Sequence, residues 1–303
     1  MRGLDYRWLE ALDSVIANGG FDKAAEALFV TQSAVSQRIK QLEKWASQPL
    51  LVRETPPRPT EAGQKLLGLY RRVCLLEQEM LPEVTPSVES RRLSATIGTN
   101  ADSLATWLIP ALAPVMKTYP VEFNFLVDNE SRTLNRLRNG EAIAVISTAE
   151  TSLQGCVSHY LGELIYCCVA TPEFAQKYFP QGATRDEVQH APTTVFDQFD
   201  DMQGEFLMDH FDLPITAVPK HIVRTTEAIL ELVKHGVANS LVPVIMIERE
   251  LASGELVDVM PGKTVHYKLY WHHWATESGI LSKISESCIN YARGHLANFT
   301  GKS

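Results

Sequence analysis

The side chains best suited to chemistry lie between Thr31 and Lys44, in the run Thr-Gln-Ser-Ala-Val-Ser-Gln-Arg-Ile-Lys-Gln-Leu-Glu-Lys. Wound as a helix, Val35, Ile39 and Leu42 fall at i, i+4 and i+7 and make one narrow apolar stripe. Ser33, Ser36, Gln37, Lys40 and Lys44 lie roughly 100–200° around the helix from that stripe. With Gln32 ahead of them they form a row of hydroxyl, amide and ammonium groups, which suits base edges and phosphates. Taken alone, the same pattern more often marks a merely solvated helix face.

The neighbouring sequence supplies the elements that would hold such a face. Leu9, Leu12, Val15 and Ile16 pattern a first amphipathic helix that stops at Gly19-Gly20. A short second helix carries Ala24, Ala25 and Leu28; Val30-Thr31 makes a turn, and the Thr31 hydroxyl caps the third helix. After it, Leu50-Leu-Val-Arg-Glu-Thr-Pro-Pro-Arg-Pro59 reads as a short hairpin or wing, with Arg53 and Arg58 placed to clamp phosphates. Residues 31–72 hold eight Lys/Arg against three Glu, a local charge of +5, so the rest of the chain carries −13 of the net −8. Screening confines charge effects to about 8–10 Å, so the local field decides whether this region attracts nucleic acid.

In order and spacing, Ala24-Ala25, Thr31-Gln-Ser-Ala-Val-Ser36, Ile39-Lys-Gln-Leu-Glu43, Pro49-Leu-Leu-Val-Arg53 and Pro59-Thr-Glu-Ala-Gly63 resemble the N-terminal domain of LysR-type transcriptional regulators. Within that family the chain is most similar to the ArgP (IciA) group. The residues that carry this are Gln32 to Glu43, Gln48-Pro-Leu-Leu-Val-Arg53, Pro56-Pro-Arg-Pro-Thr60 and Ala101-Asp-Ser-Leu-Ala-Thr-Trp-Leu108, and the similarity runs essentially end to end. Most of the family has Arg then Gln after the serine of the third helix, whereas this chain has Gln37-Arg38. Arg38 sits only about 60° from the apolar stripe. It is therefore assigned to a flanking phosphate, with base reading left to Gln32, Ser33, Ser36, Gln37 and Lys40.

At 303 residues and 45% hydrophobic content the chain has room for more than one domain. No apolar run reaches 18 residues and the N-terminus shows no secretory pattern, so a cytoplasmic, nucleoid-associated protein without membrane contact is expected. The five cysteines (74, 156, 167, 168 and 288) have no metal-ligand spacing and read as reduced thiols.

Residues 60–81 pattern one long helix, with Leu66, Leu69 or Tyr70, Val73, Leu76 and Met80 recurring every three or four residues. It could lie on its own domain or pair with a second subunit. LysR-type proteins dimerise through the corresponding helix, so the resemblance implies pairing, through Leu66, Tyr70, Val73 and Met80. Pro82 to Ser90 reads as the linker that ends the helix. The expected division is a winged helix-turn-helix at 1–59, a linker helix and hinge at 60–90, and an effector-binding domain at 91–303.

From residue 92 onward strands and helices alternate. Strands at 93–98, 121–128 and 142–147 are separated by helices near 103–118 and 130–140, the order of a parallel sheet. A second group follows, with strands near 163–170, 193–197, 219–224 and 238–242 and helices near 172–179, 200–211, 226–236 and 243–253. The chain then closes on a strand at 264–275 and a helix at 278–299. The resemblance implies that this is an α/β, two-lobed, periplasmic-binding-protein-like domain, lobe I at about 91–162 and 268–303, lobe II at about 163–267.

Ligands of open α/β sheets bind beyond the carboxyl ends of strands and against helix N-termini. That rule selects Asn100, Asp102, Ser103, Asp128, Ser147, Asp197, Thr225, Thr226 and Glu227, which share one cleft if the lobes close as in the family. Hydroxyls at the helix starts suit an α-carboxylate, and Asp102, Asp128, Asp197 and Glu227 suit an ammonium or guanidinium. Each is equally readable as an ordinary helix cap. The resemblance implies L-lysine or L-arginine as co-effector, control of amino-acid export or metabolism, and no resident cofactor. As partners it implies double-stranded promoter DNA, a second copy of the chain with a tetramer as a further option, and RNA polymerase.

Nothing in the sequence supports catalysis or a metal. Adjacent residues on a strand point to opposite faces, so the pairs in Tyr270-Trp-His-His-Trp274 and Cys167-Cys168 cannot easily share one ion or one site. The competing readings are an architectural or replication-inhibiting DNA binder that needs no effector, and a solute-binding protein or enzyme on the two-lobed fold.

Overall fold

The computed structural model describes residues 3–84, 93–128, 133–197, 202–277 and 279–296. Helix α1 (Tyr6–Ala17) is capped by Asp5, whose carboxylate accepts from the Arg7 amide, and it buries Leu9, Leu12 and Val15 completely. It closes at Gly19, whose φ of +70° is open to a residue without Cβ. Helix α2 (Phe21–Ala27) presses Ala24 and Ala25 onto α1, and small side chains permit that close approach. Helix α3 (Gln32–Ala46) starts where the Thr31 hydroxyl accepts from the Ala34 amide at 3.2 Å, and it buries Val35, Ile39 and Leu42. Strands β1 (Leu51–Val52) and β2 (Arg58–Pro59) pair antiparallel to form the wing.

Helix α4 (Glu61–Val84) is about 36 Å long at 1.5 Å per residue. Pro82 does not end it as the sequence suggested. Pro82 lies inside the last turn, two residues from the helix end, where its missing N–H removes a single intrahelical bond, and the helix continues to Val84. The remainder of the expected hinge, 85–90, falls outside the described residues.

The second domain is built on a seven-stranded mixed sheet. Strands β3 (Leu93–Thr99), β4 (Val121–Val127) and β5 (Ala144–Ser147) are parallel, as the βαβαβ pattern requires. Helix α5 (Ala101–Ser103), a π-turn over Leu104–Leu108 and helix α6 (Ile109–Thr118) make the first crossover; α7 (Thr133–Arg138) makes the second. The strand expected at 163–170 is the far half of a longer one, β6 (Cys156–Ala170). It runs antiparallel to β11 (Thr264–Trp274) from Thr264↔Cys167 to Trp274↔Cys156, with a bulge between Leu269 and Tyr270 opposite Gly162 and Tyr160.

Lobe II is formed by α8 (Pro172–Tyr178), α9 (Arg185–His190), β7 (Thr193–Val195), α10 (Met202–Phe211), β8 (Lys220–Ile222), α11 (Thr226–Lys234), β9 (Ser240–Pro243), α12 (Val244–Ser253) and β10 (Val257–Asp258). Strands β9 and β10 both pair with β6, and β7 pairs parallel with β8. Helix α13 (Gly279–His295) returns to pack on α6.

One apolar core runs from Ile97, Trp107 and Leu112 through Leu161, Tyr166, Leu269 and Trp271 to Phe206 and Leu213, so β6 and β11 carry the core between the lobes. Side chains alternate along them as expected. Cys168 faces this core and Cys167 a second one with Leu230 and Val233. The linker helix leans on lobe I at two points. The guanidinium of Arg72 sits 3.7 Å from the Trp274 ring centre, and Gly68 meets the 138–140 loop backbone to backbone.

Candidate DNA-reading face and ligand cleft

On α3, Gln32, Ser33, Gln37, Lys40 and Lys44 are exposed and Ser36 is half-buried. The Thr31 and Ser33 hydroxyls lie 2.9 Å apart, which holds the first turn together at the end that would enter a groove. Arg38 differs from the rest of the row. Its side chain is 26% exposed and its guanidinium lies 3.7 Å from the Glu10 carboxylate, against α1. Arg53 and Arg58 stand exposed on the wing, with Arg58 paired to Glu54 at 2.9 Å. The domain thus presents an uncluttered polar row flanked by arginines.

Of the side chains expected to dimerise, Leu66 and Tyr70 pack against the core of their own DNA-binding domain and Val73 is half-buried. The side chain of Met80 is outside the described residues. Among the described residues, the large apolar side chains left exposed on α4 are Leu69 and Leu76, seven residues apart and therefore on one stripe.

In the second domain the candidates gather where β3 meets α5. Asn100 is buried; its Oδ1 accepts from the Ser103 amide at 3.2 Å, while its Nδ2 and the Ser103 Oγ are buried without a protein partner. Asp102 extends across the cleft. One oxygen accepts from the Tyr166 hydroxyl at 2.7 Å and the other from the Thr226 hydroxyl at 2.6 Å. Thr225 caps α11 through the Ala228 amide and, with Glu227, is exposed. Ser147, fully buried, accepts from the Ala149 amide.

Asp128 stands next to the site, its amide bonded to the Thr99 carbonyl, but its carboxylate is held by Arg136 at 3.1 Å. Arg136 also binds Glu141 at 2.6 Å, and that bond, with the pair to Asp128, raises the guanidinium pKa further. Asp197 is half-buried just beyond β7.

Asn100, Asp102, Ser103 and Thr226 are therefore brought together. Tyr166 joins them and was not selected from the sequence. A tyrosine inside an apolar β-run has no local signature, and only the crossing of β6 beneath the cleft brings it to Asp102. Among the described residues, no group of three or more His, Cys, Asp or Glu side chains is arranged to hold a metal ion. The paired histidines diverge: His272 bonds to the Ala149 carbonyl, whereas His273 pairs with Glu277 at 2.9 Å and stacks on His159.

A wing beside a polar recognition helix, followed by a long helix and a two-lobed α/β domain, is the arrangement that known families can be compared with. The model of the bacterial regulatory helix-turn-helix proteins of the lysR family matches residues 6–64, and that of the LysR substrate binding domain matches residues 89–289. The chain belongs to the LysR family.

LysR-type regulators bind DNA through this N-terminal domain and act as oligomers. The chain is 57% identical over 293 residues to the HTH-type transcriptional regulator ArgP of Photobacterium profundum, covering 97% of this chain and 98% of that one. The crystal structure of ArgP from Mycobacterium tuberculosis superposes with a TM-score of 0.85 at 35% identity, over 96% and 98% of the two chains. Full-length LysG from Corynebacterium glutamicum, solved with bound effector Arg, gives 0.78 at 28% identity, over 97% and 99%. The relatives are named as transcriptional regulators, and this LysR-type chain is a DNA-binding regulator rather than an enzyme. No described helix is long and apolar enough to cross a membrane.

Proposed function

We propose that this regulator binds a basic amino acid, L-lysine or L-arginine, between its lobes, and that the ligand changes how a homodimer engages promoters of amino-acid export or metabolism. The observation that carries the reading is the Asp102 carboxylate spanning the cleft to Thr226 and Tyr166, beside two buried polar atoms, Asn100 Nδ2 and Ser103 Oγ, that have no protein partner. Buried polar groups without partners are unfavourable, and a ligand carboxylate accepting from both would satisfy them. Asp102 would take the ligand's ammonium or guanidinium, with the two hydroxyls keeping the carboxylate in place. Support comes from LysG, whose bound effector is arginine.

A ligand acts only through different affinity for two arrangements. Asp102 and Thr226 belong to different lobes, so occupancy between them bears on how the lobes close. In this reading the chain divides at 1–59, 60–90 and 91–303, with lobes exchanging near 162/163 and 267/268; the β11 bulge beside Gly162 supports the lobe exchange. Dimerisation through α4 would use Leu69 and Leu76 on its open side rather than Leu66 and Tyr70. In this reading Gln32, Ser33, Ser36, Gln37 and Lys40 read bases, while Arg53 and Arg58, with Arg38 behind them, hold phosphates.

The test is binding of a promoter duplex to the full-length protein with and without each amino acid. A change of footprint or affinity with lysine or arginine, absent with leucine or glutamate, is the expected result. Footprints indifferent to every amino acid would replace it with the architectural reading.

A further inference from the structure

The turn between α2 and the recognition helix holds a residue that nothing in the fold requires. The Phe29 amide donates to the Glu26 carbonyl at 3.2 Å and the Val30 amide to the Ala25 carbonyl at 3.0 Å. These are the paired bonds that close a helix around one left-handed residue. That residue is Phe29, with φ of +54°. The same bond pair closes α1 around Gly19 and α11 around Gly236. Glycine takes this conformation freely, whereas a Cβ meets the following carbonyl. Burial does not compensate. Phe29 is 94% exposed, more than any other large apolar side chain among the described residues.

Its position narrows what the ring is for. Phe29, Thr31, Gln32 and Ser33 are all exposed, and between them only Val30 turns toward the domain core. The N-terminal residues of a recognition helix are the ones that reach base edges. Phe29 projects from the turn leading directly into them, three residues before Gln32. A phenyl ring makes no hydrogen bond there, and its complement in the major groove is the thymine C5-methyl.

We infer that Phe29 is a base-reading residue whose ring packs on the methyl of a thymine at the edge of each half-site, adding apolar selectivity to the polar readout by Gln32 and Ser33. The inference rests on the assignment of this domain to DNA binding.

The experiment uses the full-length protein and a duplex selected on it from a random library, with each thymine replaced in turn by deoxyuridine, which removes only the methyl. For the wild type, one position in each half-site should weaken binding about threefold to fivefold, the worth of one buried methyl-sized group. Phe29→Gly and Phe29→Asn should weaken binding to the thymine duplex by a similar factor and be indifferent to deoxyuridine there. Their salt dependence should match the wild type, since no phosphate contact is lost. Both variants suit a left-handed backbone, so melting temperatures at or above wild type separate lost contact from lost fold.

The inference is overturned if the variants bind as tightly as wild type, lose affinity equally on thymine and deoxyuridine duplexes, or show a shallower salt slope. A changed oligomeric state on sizing would overturn it too, by giving the ring to a protein contact. Failure of the wild type itself to bind any duplex would instead remove the DNA-binding assignment on which it stands.

Discussion

The Asp102 carboxylate accepts a hydrogen bond from the Thr226 hydroxyl at 2.6 Å, joining residues 124 positions apart on opposite lobes. Asp102 lies at the start of α5 and Thr226 is the first residue of α11, so partial positive charge from the α11 N-terminus favours a carboxylate there. The same side chain is thus a contact between the lobes and, in the proposed function, the anion that would take a cationic ligand.

Asp102→Ala removes that anion and leaves a ligand cation facing Thr226 and Tyr166 without a charged partner. Removing one member of a buried charge pair costs about 2–5 kcal/mol, so affinity for L-lysine and L-arginine should fall about 30-fold or more. Titration calorimetry on the full-length variant checks this; wild-type affinity would exclude Asp102 as the anchor.

Tyr166→Phe keeps the ring packed against Tyr267 and deletes only the hydroxyl donated to Asp102. A hydrogen bond to a charged acceptor contributes about 1.5–3 kcal/mol. Denaturant unfolding without ligand should show a loss of that order with an unchanged slope, and a negligible loss would show that the bond is not formed in solution.

Ser33→Ala and Gln37→Ala alter exposed residues and should change the ranking of duplexes with single base-pair substitutions; Gln37→Ala leaves stability intact, and Ser33→Ala loses only the exposed hydroxyl pair with Thr31, about 1 kcal/mol or less. Arg38→Ala should weaken all duplexes alike, because its guanidinium is drawn back toward Glu10. Competition binding across such a duplex set distinguishes the two patterns, and a reversal of them would exchange the assigned roles.

His272 is fully buried, and burial pushes its pKa below the ordinary histidine value; the same holds for His159, with His273 and Arg293 adding to it. The unfolded chain therefore binds protons that the folded chain refuses. Stability should be constant above about pH 6.5 and fall as pH drops from there toward the depressed folded values. Urea midpoints between pH 7.5 and 5 should show this decline, and His272→Gln should flatten it.

A Cβ on Gly140 would lie 2.7 Å from the Gly68 Cα, backbone against backbone, and Gly140 has φ of +64°. Gly140→Ala should therefore push the linker helix off lobe I, lowering stability by about 1–3 kcal/mol. An unperturbed melting curve would mean that the contact is not kept in solution.

The DNA-binding domain was largely legible because its signals are local. Val35, Ile39 and Leu42 recur at helical spacing, Thr31 is a capping residue and the prolines at 56, 57 and 59 bound the wing. The parallel strands β3, β4 and β5 were readable for the same reason.

Other features depend on contacts far apart in sequence. The length of β6 is set by its pairing with β11, and Tyr166 meets Asp102 only through that crossing. Asp128 looked available until Arg136 claimed it. On α4 a single apolar stripe served two surfaces, and the packing of Leu66 and Tyr70 on their own domain decided which residues were left over. Helix α9 did carry a local signal, the Thr184/Glu187 capping box, that the wider strand-helix pattern obscured.

The most direct test of the central claim is calorimetric titration of the full-length protein with L-lysine and L-arginine, repeated on Asp102→Ala. Saturable one-site binding of at least one of them by the wild type, lost in the variant, is the expected result. No heat of binding from either amino acid at millimolar concentration would contradict the account.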